Sequence, residues 1–388
     1  MSVVTRIEVI EFEYDLLDRR YHPNLVAITY APGQHHMARS RAIRIHSDEG
    51  VTGEYVGGSA AEYAGVPVLA QALLGRSALE RERLYNDAKQ MLRATARLGL
   101  GVVDIALWDL AGKQYGVPIH ELLGGQSRPL PCYASTYIGD REEGGLNSPE
   151  AFADFAEQCY ELGFRAYKIH PWPDSSTEEM IAAVRAVGER VGDRMSLMLD
   201  PYCSLQTFSD AVRVGRACDE FNFIWLEDPF RDGGVSSQAH RKLRELIRTP
   251  LLQLEHVRGL EAHVDFIVSG GTDFVRADPD YDGGVTGVMK IAHAAEGFGL
   301  DVELHGPDPI RRQLMTSILN TNYYELGLVH PKVGPQTAPI YLGDYRDDLH
   351  SVDETGCVFA PQGPGSGVEY DWDYIYENRV GGAEYSQK

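Results

Sequence analysis

The chain reads LMLD at residues 197–200, FIWLE at 223–227, LLQLE at 251–255, FVRAD at 274–278 and LDVELH at 300–305. Each run is short and largely apolar, and each ends on an acidic residue or a histidine. The segments between the runs carry apolar residues at helical spacing, as in Val288, Ile291, Ala292 and Ala295. Strands and helices that alternate in this way predict parallel βαβ units.

Three further runs extend the pattern, near residues 130–137 and at residues 166–170 and 322–326. Eight strands separated by helices close most naturally into a (β/α)8-type barrel, so the predicted fold class is α/β. The barrel is assigned to residues 126–330. A doubly wound sheet is the alternative, but no Gly-x-Gly-x-x-Gly motif follows any predicted strand.

The first 125 residues predict a separate α+β domain. Residues 3–14 and 41–56 alternate apolar and polar side chains as strands do, and the second run breaks at Asp48-Glu49-Gly50. A long polar loop separates the two runs. Residues 63–115 have a helical period. The last segment, residues 331–388, forms a third part of the chain.

The chain has 388 residues and a formal net charge of −21, from 36 Lys and Arg against 57 Asp and Glu. Such acidity repels phosphate backbones and anionic lipids, so neither nucleic acid nor a membrane is an expected partner. No stretch approaches the ~18 uninterrupted apolar residues of a membrane span, and the amino terminus lacks a signal-peptide core. Five scattered cysteines without a Cys-x-x-Cys pair favour a reducing cytoplasm.

Ionisable residues at the strand ends are the strongest functional signal. Side chains alternate faces along a strand, so Asp301, Glu303 and His305 share one face while the residues between them meet the helices. The same alternation predicts that the side chains of Lys168 and His170 point into the barrel. Barrel interiors are normally filled by branched apolar side chains, so charges that converge at the carboxyl ends of strands predict an active site.

Three carboxylates on consecutive strands, Asp200, Glu227 and Glu255, are expected to lie close together. They could not all stay ionised without a cation, and an all-oxygen set suits Mg²⁺. The structural alternative is an interior ion-pair cluster that includes Lys168 and Arg276.

Two histidines at strand ends are candidates for proton transfer. His170 or His305 alone is more often a packed core histidine than a catalytic one. Asp278 ends the strand before His305, however, and is placed to orient its ring as a paired carboxylate.

Three segments outside the barrel strands complete a larger pattern: GVVDIALWDLAGK (101–113), LGG (123–125) and PGSGVEYDWD (364–373). With the strand-end residues, they resemble the mandelate racemase subgroup of the enolase superfamily over nearly the whole chain. The resemblance implies Mg²⁺ ligands at Asp200, Glu227 and Glu255, a dyad of Asp278 and His305, and a donor to the substrate carboxylate at Glu325. It also implies that residues 1–125 and the carboxyl-terminal segment cap the barrel mouth.

Two departures from the family pattern affect the predicted chemistry. Lys168 matches the first lysine of the family's Lys-x-Lys motif, but His170 replaces the second and gives Lys-x-His. The asparagine common after the first ligand is absent, and Tyr202 either hydrogen-bonds a substrate hydroxyl or packs on Pro201. His256, after the third ligand, either reaches the pocket or caps the next helix.

The resemblance implies Mg²⁺-dependent removal of the proton α to a carboxylate, through an enediolate. We predict a lyase that dehydrates acid sugars to 2-keto-3-deoxy acids. The alternative is a racemase, epimerase or cycloisomerase acting on a hydroxy acid, and a non-catalytic barrel is a distant third reading. The expected partners are a small carboxylate substrate, namely a sugar acid, and further copies of the chain in a homo-oligomer.

The predicted loop at residues 15–41 is a candidate for substrate binding. It carries Arg20, Tyr21, His22 and His35, whose cationic and hydrogen-bonding groups suit a polyhydroxylated or dianionic substrate tail. A solvated loop is the competing explanation for each of these residues. Further candidate contacts follow the seventh strand, at Pro307, Asp308, Arg311 and Arg312.

Overall fold

The structure, a computed structural model, describes residues 2–22 and 27–387. It begins with an antiparallel sheet whose strands are β1 (Val4–His22), β2 (Ala27–Ser47) and β3 (Thr52–Val56). The break predicted at Asp48-Glu49-Gly50 within residues 41–56 is a turn that separates β2 from β3. Four helices follow: α1 (Val66–Leu73), α2 (Arg81–Met91), α3 (Leu100–Tyr115) and α4 (Ile119–Leu122).

The prediction of a polar loop between the first two strands was wrong. β1 and β2 continue through this region as a long hairpin, in which Leu17 pairs with His35 and Tyr21 with Ile28. Residues 32–35 are all exposed, so this part of the hairpin lacks the period-two burial that marks a half-buried strand. Backbone pairing, which the side-chain pattern does not reveal, forms these strands.

Eight parallel strands form a nearly closed barrel, as predicted. They are β4 (Leu130–Ile138), β5 (Ala166–His170), β6 (Ser196–Leu199), β7 (Trp225–Glu227), β8 (Leu251–Gln253), β9 (Phe274–Ala277), β10 (Asp301–Leu304) and β11 (Tyr324–Val329). The helices between them are α5 (Pro149–Glu161), α6 (Thr177–Val191), α7 (Phe208–Glu220), α8 (Ser237–Arg244), α9 (Leu260–Val268), α10 (Gly284–Gly297) and α11 (Pro309–Ser317).

The barrel closes between β10 and β11 without a regular strand ladder. The Val302 N–H donates to the Asn320 carbonyl at 2.7 Å. The buried carboxylate of Glu303 accepts the N–H groups of Asn322 at 3.2 Å and Tyr323 at 3.1 Å. The side chain of Glu303 thus replaces part of the missing strand ladder. Because the strands close into a barrel, the doubly wound sheet is excluded.

The carboxyl-terminal segment returns to the first sheet. It contains β12 (Tyr341–Leu342), β13 (Cys357–Val358), β14 (Glu369–Tyr370), α12 (Trp372–Glu377) and β15 (Arg379–Ser386). β13 pairs with β4, and β15 pairs with β1. The domain limits at residues 125 and 330 stay predictions. No helix among the residues described is both long and apolar enough to cross a membrane.

Two buried aspartates of α3 attach this helix to the rest of the molecule. Asp104 accepts the N–H of Thr286 in α10 at 2.9 Å and its hydroxyl at 2.7 Å. Asp109 accepts the N–H of Glu54 in β3 at 2.8 Å and that of Ser366 in the closing segment at 2.7 Å. These contacts give a physical reason for the acidic residues in the 101–113 motif.

We predict that Asp104 makes stability fall as pH rises. Burial raises the pKa of Asp104 from 3.8 to about 7, and its hydrogen bonds from Thr286 offset this only in part. The folded carboxyl therefore keeps its proton over a pH range in which the unfolded one has lost it, and this destabilises the fold between about pH 4 and pH 7. Relative to wild type, Asp104→Asn should become more stable across that range by up to ~4 kcal/mol. Denaturant unfolding at a series of pH values measures this difference, and parallel stability curves for the two proteins would contradict the prediction.

Candidate active site

The carboxyl ends of the barrel strands surround a cavity of about 630 Å³. Residues predicted from their strand-end positions line it, among them Lys168, His170, Asp200, Glu255, His305 and Glu325. Tyr202 and His256, predicted as possible substrate contacts, line it too. The topology therefore collects these separated residues at one edge of the barrel, where active sites of this architecture lie.

The three predicted metal ligands converge. Asp200 follows β6, Glu227 ends β7 and Glu255 lies two residues beyond β8. One carboxylate oxygen of each lies within 4.8 Å of the others. Three oxygen donors from rigid neighbouring strands fit a hard cation such as Mg²⁺, which keeps its remaining positions for water or substrate.

A cluster of buried ion pairs lies next to the three carboxylates and includes one of them, Glu227. Glu227 accepts from Arg276 Nε at 2.8 Å through Oε1 and from Lys168 Nζ at 2.8 Å through Oε2. Lys168 Nζ also lies 2.9 Å from Glu325 Oε1. The alternative predicted from sequence therefore exists, but Lys168 and Arg276 do not pair every acidic side chain around them, namely Asp200, Glu227, Asp228, Glu255 and Glu325.

The cluster fixes the charge of its members. Burial would lower the pKa of Lys168, but Glu227 and Glu325 raise it well above its ordinary value. Burial would likewise raise the pKa of Glu325, but Lys168 and Arg276 hold it well below its ordinary range. Lys168 is therefore cationic and Glu325 anionic at neutral pH.

The predicted dyad is formed. His305 Nδ1 lies 2.7 Å from Asp278 Oδ2, and Arg311 Nη2 lies 2.9 Å from the other oxygen, Oδ1. Burial opposes ionisation of Asp278, but Arg311 and His305 together hold its pKa at about 2. Burial also lowers the pKa of His305, yet Glu255 and Asp278 outweigh it and raise that pKa to about 9. An ionised Asp278 thus orients His305, whose Nε2 is directed toward Glu255 at 3.5 Å.

His170 takes the position of the second family lysine. Its Nδ1 lies 2.7 Å from the carbonyl oxygen of Thr136, which can only accept, so Nδ1 carries a proton. Its Nε2 lies 3.0 Å from Asp200 Oδ2 and is the ring atom left for proton exchange. Burial would raise the pKa of Asp200, but the contact with His170 lowers it. The imidazole of His170 lies at the edge of the metal-ligand set.

The four hairpin residues predicted as substrate contacts do not line the cavity in the described part of the chain. Arg20 lies 3.7 Å from Glu142, and His35 lies 2.8 Å from Asp15. Tyr21 stacks on His36, and His22 ends β1. Their role in binding stays a prediction.

Sequence reasoning missed other residues that line the cavity, including Cys203, Asp228, Tyr281, Gln336 and Thr337. Asp228 was overlooked because strand alternation places it on the face opposite to Glu227. Its φ of 31° breaks that alternation. Gln336 and Thr337 come from the irregular segment after β11, which carries no local signal for the site.

Comparison with known proteins agrees with this geometry. Residues 151–374 match the family described as Enolase C-terminal domain-like, and residues 17–124 match the mandelate racemase/muconate lactonizing enzyme N-terminal domain. The chain belongs to the mandelate racemase/muconate lactonizing enzyme family. The predicted family and fold are thereby confirmed.

Several proteins similar to the chain are sugar-acid enzymes by name. D-gluconate dehydratase of Thermoproteus tenax is 28% identical over 77% of this chain and 61% of its own length, so the chain spans about three fifths of that relative. A 3,6-anhydro-α-L-galactonate cycloisomerase of Streptomyces coelicolor is 28% identical over 87% of this chain and 91% of its own length. The crystal structure of D-glucarate dehydratase from Agrobacterium tumefaciens, complexed with magnesium, is 28% identical with a TM-score of 0.85, covering 98% of this chain and 99% of that one.

We predict that Mg²⁺ stabilises the folded protein through the three carboxylates. At free Mg²⁺ near 100 times its dissociation constant, the gain should be about 2.7 kcal/mol. Asp200→Asn and Glu255→Gln should each lose most of this gain, because each removes a charged ligand. Thermal unfolding in Mg²⁺ and in EDTA measures it. Asp193→Asn, at a side chain that is 82% exposed, is the matched control and should keep the full gain; an undiminished gain in Asp200→Asn would refute the assignment.

Proposed function

We propose that this chain is a Mg²⁺-dependent dehydratase of sugar acids. The proposal is supported by the similar gluconate and glucarate dehydratases and by a site that offers each group the reaction needs. Dehydration breaks the C–H bond α to the carboxylate and the C–O bond at the β carbon. Water leaves, and the resulting enol becomes a 2-keto-3-deoxy acid.

One observation carries the proposal: a histidine stands at each side of the metal-ligand set. The barrel order places His170 on β5 before Asp200, and His305 after Glu255 and Asp278. His170 Nε2 lies 3.0 Å from Asp200, and His305 Nε2 lies 3.5 Å from Glu255. A substrate bound between them has one imidazole to take the α proton and one to protonate the leaving hydroxyl.

Each charged side chain in this arrangement has a defined task. Asp200, Glu227 and Glu255 would hold Mg²⁺, which when bound stabilises the negative charge that develops on the substrate carboxylate. Lys168, held cationic by the buried cluster, would contact the same carboxylate. Asp278 keeps His305 in a single tautomer, because it accepts from Nδ1 and leaves Nε2 to exchange protons.

The lining of the cavity favours substrates with a single carboxylate. Lys168 is the only lysine or arginine among the described residues that line it. Arg20 and Arg39 lie on the hairpin beside Glu142 and Glu13. Tyr202, His256, Tyr281, Gln336 and Thr337 instead offer hydrogen bonds that suit sugar hydroxyls. We therefore place aldonic acids ahead of the dianionic aldaric acids.

A second candidate function is cycloisomerase, racemase or epimerase chemistry. It is favoured by the similar cycloisomerase and by the same pair of histidines, which could return a proton to the carbon from either side. It differs from dehydration only in the fate of the intermediate, because no β-hydroxyl leaves.

A screen of aldonic and aldaric acids with Mg²⁺ tests both functions. Trapping of 2-keto products with semicarbazide detects dehydration, and NMR in D₂O detects exchange of the α proton. We expect keto product, with kcat/KM about tenfold or more higher for an aldonic acid than for the matching aldaric acid, which corresponds to ~1.4 kcal/mol. Exchange or inversion without keto product would support the second function, and no reaction in either assay would count against both.

Histidine variants should separate the two proton transfers. His305→Asn and His170→Asn should each lower kcat for dehydration by about 10²- to 10⁴-fold. The variant without the base should lose α-proton exchange in D₂O, whereas the variant without the acid should keep exchange and lose keto product. His293→Asn, at an exposed histidine of α10, is the control and should behave as wild type. Full activity in both site variants would overturn the assignment.

We also propose a cytoplasmic location and a homo-oligomeric state. All five cysteines are free, which supports a reducing compartment. Sizing of the purified protein tests the oligomeric state.

A further inference from the structure

A second group of possible metal ligands, chemically different from the first, lies beside the three carboxylates. It consists of Cys203, Asp228 and His256, each of which lines the cavity. One ligand atom of each lies within 4.8 Å of the others. These residues follow β6, β7 and β8, the three strands whose ends carry Asp200, Glu227 and Glu255.

The buried carboxyl group of Asp228 lacks a hydrogen-bond partner among the described residues. The residue is only 2% exposed, and neither of its oxygens receives a hydrogen bond within the described part of the chain. The nearest atom able to carry positive charge is His256 Nε2, at 3.6 Å from Oδ2. Burying a carboxyl group without a hydrogen-bond partner is costly, and a bound cation would supply the missing partner.

The surrounding backbone holds the group in place. The N–H of Cys203 donates to the carbonyl oxygen of Asp228 at 3.1 Å and joins the two loops. On another side, Gly234 has a φ of +72°, and a Cβ atom there would lie 2.3 Å from Asp228 Oδ1. The backbone of Gly234 therefore lies directly against the carboxylate, with no room for a side chain that could donate to it.

The donor set identifies the class of cation. Thiolate and imidazole ligands suit Zn²⁺ and similar transition metals, whereas Mg²⁺ prefers an all-oxygen set. Three protein ligands beside a cavity also match the pattern of metal sites that keep one position open for water or a ligand. We propose that Cys203, Asp228 and His256 bind a second divalent cation of the zinc class, with its open position toward the cavity.

Binding at this site has a simple proton balance. The Cys203 thiol loses its proton to solvent as the metal–sulfur bond forms, while Asp228 binds as a carboxylate and His256 through a neutral ring nitrogen. The fourth position would take water or an oxygen of a molecule in the cavity. His256 is 40% exposed at its side chain, which gives an incoming ion a path to the buried carboxylate.

Titration with Co²⁺ in excess Mg²⁺ tests the proposal on the intact chain. Mg²⁺ occupies the all-oxygen site, and only a cobalt–thiolate bond gives an intense charge-transfer band in the near ultraviolet. We expect a saturable band at one Co²⁺ per chain that is competed away by Zn²⁺. Cys203→Ser should abolish it, and Cys357→Ser, at the other partly exposed cysteine, should retain it.

Two further variants keep the thiol and change the other ligands. Asp228→Asn and His256→Gln should each raise the Co²⁺ concentration at half-saturation by at least ~10-fold. Absence of the band in wild type, its persistence in Cys203→Ser, or an unchanged midpoint in Asp228→Asn would each overturn the proposal. The readout needs no substrate, so the outcome is separate from whether the chain dehydrates sugar acids.

Discussion

The buried cations Lys168 and Arg276 are the constraint on which the site depends. Together they occupy both oxygens of Glu227, and each also contacts Glu325. Removing one partner from such a buried network typically costs ~3–5 kcal/mol, because the remaining charge stays unpaired in a dry environment. The cluster therefore fixes the side chains of four strands, while Asp200 and Glu255 line the cavity.

This network also divides the barrel interior into two layers. Residues of five consecutive strands form a separate apolar cluster, made of Tyr133, Ala166, Met198, Trp225 and Leu252. Lys168 and Glu227 come two residues after Ala166 and Trp225 on the same strands and face the same way. Two residues further along these strands, the barrel interior thus changes from a packed apolar core to the ion-pair cluster. The apolar layer excludes water from one side of the ion pairs and strengthens them.

Strand alternation explains what the sequence could and could not predict. The eight strands and the carboxylates at their ends follow from periodicity and topology, so the convergence of Asp200, Glu227 and Glu255 and the pairing of Asp278 with His305 were predicted without coordinates. The method fails where the backbone leaves the regular strand. Cys203 and Asp228 have positive φ angles, which turn their side chains toward the cavity at positions that strand alternation does not describe. The prediction of a loop at residues 15–40 failed for a related reason, because the exposed faces of β1 and β2 give no burial period to detect.

The amino-terminal sheet is connected to the Asp278–His305 dyad by hydrogen bonds. Tyr55, on β3, donates to Asp280 Oδ1 at 2.7 Å, and Arg311 lies 3.0 Å from the other oxygen of Asp280. Arg311 in turn holds Asp278, and its Nε donates to the carbonyl oxygen of His305 at 2.7 Å. An unbroken series of hydrogen bonds therefore joins the first sheet to the dyad. Because the ionisation of Asp278 depends on Arg311, the same contacts that attach the first sheet also set the charge of the Asp278–His305 pair.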